Sequence, residues 1–361
     1  MRIVLATGIY PPQIGGPATY AKSLAHELSA LGMQVTVLAY GDPEPGVSWH
    51  TVGVSRGGIF LHRWLRYARA LRIHASNADA VYVLSSVSVG IPLILAGIPR
   101  TVTRVLRLGG DFFWERYTQR GGSKGLVDWY ASKPFSVRLF ATVLRQFDHL
   151  LFSTKFQRDL YAQSYTSLPK SSVIENALPR MSAPDERRVS DPFRLLWMGR
   201  MTPLKNVESL VRAMVDVKGA TLLLVGTGPS LPGIRSLIES LDLHGRVAIA
   251  EPVSPGQRDL LFMEHHALVL PSFSEVSPNI ALEARASGLP VIVTKEVGLS
   301  DALKDGMLLI HLRSPANIAA AIDHMRKEYS SYAKHAAAPV TQRTWRAIAE
   351  EHVQLFRSLR T

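Results

Sequence analysis

Short apolar runs alternate with helical stretches along this 361-residue chain, and that alternation leaves few folds open. Residues 3–6 read as a strand, followed by the loop GIYPPQIGGPATY. A helix comes next, with Tyr20, Leu24, Leu28 and Leu31 at helical spacing. Pro17 suits its first position and Gly32 the place of a C-terminal cap. Residues 35–39 form the next strand, and residues 80–84, 102–106 and 150–152 continue the series. Helical stretches separate them, which makes the repeating unit strand–helix–strand and the sheet parallel. MSAPDERRVSDP, residues 181–192, is polar, charged and carries two prolines, so it reads as a linker. Beyond it the alternation restarts with strands at residues 195–198, 221–225, 247–250, 267–270 and 291–294. Helical patterns such as residues 207–217 and 230–241 lie between them. The expected architecture is α/β: two doubly wound domains in tandem, residues 1–180 and 193–340, with a ligand cleft between them. In residues 341–361, Trp345, Ile348, Leu355, Phe356 and Leu359 form an apolar stripe, expected to be a helix packing back on the first domain.

With 47% hydrophobic and 19% charged residues the chain can bury large cores and does not read as disordered. It has no cysteine, which excludes a disulfide framework, a thiolate metal site and a cysteine nucleophile. The start, MRIVLATGIYPP, lacks a small-residue cleavage site and does not read as a signal peptide. The longest apolar stretch, around residues 87–98, is broken by Gly90, Pro92 and Gly97 and falls short of the ~20 residues a membrane span needs. A cytoplasmic protein is expected. Its charge is lopsided: residues 1–180 carry 20 basic and 10 acidic side chains, residues 181–361 carry 21 and 19. A basic first half predicts an anionic partner, either a membrane surface or nucleic acid.

Three stretches carry candidate chemistry. In FSEVSPNIALEARASGLPVIVT, residues 273–294, a strand gives way to a loop holding Glu275 and then to a helix, starting near Pro278, that holds Glu283. The N–H groups of residues 277–280 fall in the helix's first turn, where no intrahelical acceptor reaches them, so this start attracts anions. Two carboxylates taken alone equally describe solvated helix-end charges. In WMGRMTPLKNVESLVRAM, residues 197–214, Arg200 and Lys205 follow a strand ending at Gly199, a placement that can cradle a pyrophosphate. Gly15 and Gly16, between the first strand and helix, would let the backbone approach a phosphate, although such a pair also makes an ordinary loop.

Other patterns fall away. VGTGPSLPG, residues 225–233, has Leu231 where a dinucleotide fingerprint needs its third glycine. Neither GxxxxGK[ST] nor HExxH occurs, and His265 with His266 reads as a helix-end pair rather than a metal site. No two aspartates stand two apart, so a metal-holding DxD pair is missing. A leaving diphosphate would then rely on Arg, Lys and helix dipoles.

In order along the chain, the Gly-Gly loop, GRMTPLKN, VGTGP and SEVSPNIALEARASGLPV resemble the retaining glycosyltransferases of family four, which have the GT-B fold of two Rossmann-like domains. The resemblance spans nearly the whole chain, and the two glutamates eight apart with the trailing GLPVIVT are its most specific part. It implies transfer of a sugar from a UDP- or GDP-linked donor to a glycan or lipid-linked acceptor. The anomeric configuration is retained, no metal or other cofactor is expected, and the leaving diphosphate helps to deprotonate the acceptor. The resemblance also assigns roles. Glu283 binds the ribose hydroxyls, and Val253 contacts the base through its backbone. Glu275 with Val276, Ser277, Pro278, Asn279 and Ile280 holds the donor sugar and its phosphate. Arg200 and Lys205, after Gly199, neutralise the pyrophosphate, and Gly15 and Gly16 approach it from the first domain.

The chain departs from the family pattern in two places. RLGGDFFWER, residues 107–116, has glycines where many members carry a histidine, leaving Asp111 to orient the acceptor or a donor hydroxyl. Val276 and Ser277 replace a Gly-Phe type of pair, which alters the donor pocket.

Residues 58–74 place Arg63, Arg66, Arg69 and Arg72 at three-residue intervals, with Phe60, Leu61, Trp64, Leu65 and Leu71 between them. Such a helix suits an interfacial membrane contact and equally a surface helix with a core-facing side. The resemblance gives a peripheral position on the inner face of the cell membrane about the same weight as a core-facing surface helix, because many relatives glycosylate lipid-linked acceptors there. Two rival readings stand beside the transferase. One is a nucleotide-sugar epimerase on the same fold; the other is a basic nucleic-acid-binding protein, for which no recognition motif is found.

Overall fold

A computed structural model describes every residue except 14, 47, 179–189, 339–342 and 361. The expected linker, residues 181–192, lies outside the described residues apart from its last three. The chain divides into two compact units: Met1–Phe113 with Lys133–Ala177 and Arg343–Thr361, and Trp114–Ser132 with Leu178–Gln342. Residues 114–132, expected inside the domain 1–180, therefore cluster with the second unit instead.

The first unit is a seven-stranded parallel sheet made of β1 (Arg2–Ala6), β2 (Gln34–Tyr40), β3 (His50–Val54), β4 (Ala80–Val83), β5 (Thr103–Leu108), β6 (His149–Phe152) and β7 (Lys170–Val173). Its strand order is β3-β2-β1-β4-β5-β6-β7. The second is a six-stranded parallel sheet of β8 (Phe193–Met198), β9 (Ala220–Val225), β10 (Val247–Ala250), β11 (Ala267–Leu270), β12 (Val291–Thr294) and β13 (Met307–Ile310). Its order is β10-β9-β8-β11-β12-β13. In each sheet the winding reverses beside the first strand, between β1 and β4 and between β8 and β11. Loops leaving the strand tips at such a reversal splay apart, and ligands of doubly wound sheets bind there.

Burial explains why the central strands are visible in the sequence. The central strands β4, β6, β11 and β12 are buried along their whole length, which requires unbroken apolar runs. The three strands that sequence patterning misses, β3, β7 and β13, all lie at sheet edges. An edge strand need not be apolar, and KSSV of β7 is exposed or half-buried throughout.

The first helix, Gly16–Ala30, buries Tyr20, Leu24 and Leu28, and Gly32 closes it at φ 78°. Pro17 is its second residue, not its first, because Gly16 already has helical geometry. The C-terminal helix, Trp345–Ser358, buries Ile348, Ala349, His352, Val353 and Phe356. These residues join the core that holds the first helix, with Trp345 edge-on to Tyr20 at 5.3 Å.

A polar network is sealed inside that core. His352 Nδ1 lies 2.7 Å from the carbonyl oxygen of Ile348, so Nδ1 carries the proton and Nε2 is the acceptor. Nε2 sits 3.0 Å from the Tyr82 hydroxyl and 3.1 Å from that of Tyr20. The Arg107 guanidinium lies 3.9 Å from the centre of the Tyr20 ring and donates to Asn176 Oδ1 at 2.5 Å. Burial pushes the His352 imidazole down to about 3; its bond to the Ile348 carbonyl opposes the shift, and the charges of Arg107 and Arg343 reinforce it.

Candidate active site

The reversal between β8 and β11 in the second unit brings two sequence-predicted stretches together. Glycine makes the first one possible. The segment after β8 runs beside the one after β9: Gly199 N–H donates to the Val225 carbonyl at 3.0 Å and Met201 N–H to the Thr227 carbonyl at 2.9 Å. A β-carbon on Gly226 would lie 2.0 Å from the Gly199 oxygen, and one on Gly228 2.3 Å from the Met201 oxygen. VGTGP is therefore no failed nucleotide fingerprint; its glycines let two strand-tip loops lie in contact.

Past this contact the chain makes a single 3-10 turn, Pro203–Lys205, and then enters the helix Val207–Ala213 through Asn206 at φ 53°. Left-handed backbone at a non-glycine residue is uncommon and needs support. Asn206 Nδ2 supplies it, donating to the carbonyls of Pro271 at 3.1 Å and Leu312 at 3.0 Å. The amide thus ties the turn carrying Lys205 to the tip of β11. Phe273 N–H reaches back to the Leu204 carbonyl at 3.0 Å.

Lys205 and Glu275 meet across this seam. Lys205 Nζ is 2.6 Å from Glu275 Oε1, and the Ser272 hydroxyl donates to the same oxygen at 2.5 Å. The Glu275 side chain is 8% exposed and that of Lys205 27%, so the lysine faces the surface over a nearly buried carboxylate. Glu275 is also held by its backbone, pairing with the segment after β12: its N–H donates to the Glu296 carbonyl and its carbonyl accepts from Gly298. Arg200 is exposed and, among the described residues, makes no ion pair.

The helix Asn279–Ala286 starts directly after Pro278, with Val276 buried and Ser277 half-buried before it and Ile280 half-buried in its first turn. Glu283, further along, is paired with Arg258 at 2.8 Å. Burial raises the Glu283 carboxyl, Arg258 pulls it back down, and Asp259 adds to the rise. Arg258 belongs to the helix Pro255–Glu264, whose start is fixed by a Ser254–Gln257 capping box. Val253, half-buried just before that helix, packs against the core of the unit. Thus Gly199, Arg200, Lys205, Val253 and Glu275–Glu283 all belong to the second unit, and Lys205 and Glu275 touch.

Three predicted groups lie in the first unit. Gly15 precedes the first helix after β1, its carbonyl accepting from Ala18 N–H at 3.0 Å, and Gly16 opens that helix. Asp111, just past the tip of β5, is buried and accepts from the Tyr161 hydroxyl at 2.8 Å. The basic helix spans Phe60–Ala75. At about 100° per residue, arginines three apart drift around a helix instead of forming one row. Arg63 is accordingly half-buried while Arg66, Arg69 and Arg72 are exposed. Ile59, Phe60, Leu61, Leu65 and Ile73 are exposed beside them, whereas Tyr67, Ala68 and Leu71 face the core. Among the described residues no three His, Asp or Glu side chains form a metal-holding group, and no helix is long and apolar enough to cross a membrane.

Residues 15–177 match the family described as glycosyl transferase 4-like domain, and residues 192–328 match glycosyl transferases group 1. The two matches cover most of the chain and follow one another in the order of the two units. This chain belongs to glycosyltransferase family 4. A D-inositol 3-phosphate glycosyltransferase from Mycobacterium tuberculosis is 32% identical over 149 residues, 39% of this chain and 30% of that protein. The chain thus spans under a third of the length of that relative. Two solved structures share the fold of this family 4 chain. Sucrose-phosphate synthase from Thermosynechococcus elongatus aligns with a TM-score of 0.82 at 18% identity, over 99% of this chain and 98% of that one. Anabaena HepE, in complex with UDP and glucose, aligns with a TM-score of 0.76 at 15% identity over 99% of both chains. The architecture is the two-domain GT-B fold.

Sequence reasoning missed several residues that shape this cluster. Ser272 and Asn206 adjoin predicted residues, and an asparagine directly after a predicted strand-tip turn was a usable signal. Arg258 gave none: its pairing with Glu283 arises only when two helices distant in sequence meet.

Proposed function

We propose that this family 4 chain is a retaining glycosyltransferase that takes a nucleotide-diphosphate sugar, UDP- or GDP-linked, as donor and a glycan or lipid-linked acceptor. The observation that carries this reading is the Lys205–Glu275 pair at the reversal point of the second sheet, in the segment that the exposed Arg200 opens after β8 and ahead of the helix Asn279–Ala286. A diphosphate leaving group gains negative charge as the glycosidic bond breaks, and preorganised cations stabilise that charge most in the transition state. Arg200 and Lys205 supply them, so no resident metal is required. Glu275, held by two donors, is placed for a sugar hydroxyl once Lys205 turns to phosphate. Glu283 binds the ribose hydroxyls, and Arg258 opposes the rise that burial imposes on its carboxyl. The reaction breaks the bond between the anomeric carbon and the phosphate oxygen and forms one to the acceptor oxygen, on the same face; the acceptor proton passes to the departing phosphate oxygen. The HepE structure with bound UDP and glucose supports this class of donor.

As a second partner we propose an anionic membrane surface. The exposed Phe60, Leu61 and Leu65 together with Arg66, Arg69 and Arg72 support it, since apolar and cationic side chains combine at lipid headgroups.

One assay tests both. The protein is incubated with UDP- and GDP-sugars, candidate acceptors and anionic vesicles, which are then floated. Release of nucleoside diphosphate with an acceptor product of unchanged anomeric configuration, and protein in the floated fraction, are expected. Isomerised donor without transfer supports the epimerase instead, an inverted product contradicts retention, and protein left at the bottom of the gradient overturns the membrane contact.

A further inference from the structure

Between Phe113 and Lys133 the chain leaves the first unit, and the strap Trp114–Ser132 packs with the second. Its attachment is specific. The short helix Leu126–Ala131 points its starting N–H groups at two side chains of the second unit: Leu126 N–H donates to Ser274 Oγ at 2.7 Å and Val127 N–H to Glu296 Oε1 at 2.8 Å. The Ser274 hydroxyl donates in turn to Glu296 Oε1. Arg313 bridges the other side, 2.8 Å from Asp128 Oδ2 and 3.3 Å from Glu296 Oε2. Contact is tight enough that a β-carbon on Gly125 would lie 2.3 Å from Glu296 Oε2 and 2.7 Å from Arg313 Nη2.

We infer that Glu296 is a positioning residue that latches the strap to the loop bearing Glu275. The inference rests on the proposed function and adds a residue to its machinery. Glu296 works from both ends. Its main-chain carbonyl accepts the Glu275 N–H at 2.9 Å, while its carboxylate accepts from Ser274, the residue just before Glu275, and from the strap. Neighbouring residues of an extended segment face opposite ways, so Ser274 turns to the strap and Glu275 to Lys205. The strap also faces the Lys205 turn across open space: Thr118, Gly122 and Ser123 wall a cavity of about 160 Å³ whose other side includes Thr202, Pro203 and Phe273. A carboxylate that is 12% exposed and satisfied by a backbone N–H, a hydroxyl and a guanidinium fixes its surroundings more firmly than a surface pair does. Releasing it leaves Ser274 without its acceptor and lets the Glu275 carboxylate drift from its 2.6 Å contact with Lys205.

The test uses the full chain and the variants Glu296→Ala, Glu296→Gln and Gly125→Ala, with three readouts: trypsin cleavage at Arg116, Arg120 and Lys124 within the strap, kcat, and the Kd of UDP or GDP. In Glu296→Ala, strap cleavage is expected to speed up and kcat to fall, each by about tenfold or more, while the nucleotide Kd changes by less than about threefold. Glu296→Gln keeps an amide oxygen for Val127 N–H and lies between Ala and wild type. Gly125→Ala, which removes no charge but sets its β-carbon against the Glu296 carboxylate and the Arg313 guanidinium, follows Glu296→Ala. Unchanged strap cleavage in Glu296→Ala overturns the latch; faster cleavage with unchanged kcat overturns the positioning role. A wild-type chain that transfers no sugar overturns the proposed function and the positioning role with it, whereas the cleavage rates still decide whether Glu296 holds the strap.

Discussion

Replacing Lys205 by alanine is expected to lower turnover by about 10²–10³-fold, the effect of deleting one preorganised donor aimed at developing charge. The same change costs stability. Lys205 is the counter-ion of a Glu275 carboxylate that is only 8% exposed, and Ser272 alone cannot offset a buried charge. Removing one partner of such a pair costs about 3 kcal/mol. The two losses separate in the double variant Lys205→Ala/Glu275→Gln, where the uncompensated charge is gone. Thermal melting should then recover toward wild type while turnover stays low. Full turnover in Lys205→Ala contradicts the assignment of this lysine to the leaving group, and an unchanged melting temperature contradicts the burial argument.

The second large effect is acid destabilisation of the first unit through His352. Its imidazole titrates at about 3 in the folded chain against about 6.5 when unfolded, so the unfolded state binds the extra proton first. Nothing is lost above pH 6.5. Below it the folded state loses about 1.4 kcal/mol per pH unit, and the loss saturates near pH 3. Between pH 6.5 and 4.5 this amounts to about 2.7 kcal/mol, a large share of a typical stability of about 5–15 kcal/mol. Carboxylates titrate over part of the same range, so the difference between wild type and His352→Phe isolates the histidine. Denaturant midpoints measured from pH 7.5 to 4.5 should fall more steeply in wild type. Parallel curves would show that the Tyr20–Tyr82–His352 network opens before it charges. At pH 7.5 the variant is expected to be the weaker protein, because the buried Tyr20 and Tyr82 hydroxyls lose the Nε2 acceptor and keep only each other, at 3.3 Å, as acceptors.

The contrast between what the sequence displays and what it hides follows the same physics. Central parallel strands are buried on both faces and must be written in apolar residues, so β4, β6, β11 and β12 are legible, whereas the edges β3 and β7 carry no such demand; β13, the apolar MLLI, is missed without that reason. Arg200, Lys205 and Glu275 are legible because they follow strands directly. Doubly wound sheets bind ligands at strand tips, so chain position alone marks these residues as candidates. Glu296 is different. It also follows a strand, β12, but its partner Val127 lies about 170 positions earlier, in a strap whose excursion into the second unit leaves no local signal. His352 is hidden for another reason: a histidine breaks the apolar stripe of the last helix, and only the tyrosines from Gly16–Ala30 and β4 explain why it is buried there.

The central claim, that the second unit binds a nucleoside diphosphate through its strand-tip cations and Glu283, is tested most directly by titrating UDP and GDP calorimetrically into wild type and Glu283→Ala. Saturable binding of one of the two nucleotides by wild type, lost in Glu283→Ala while the variant melts as a folded protein, is the predicted result. Equal affinity in both proteins, or no binding of either nucleotide to wild type, would contradict it.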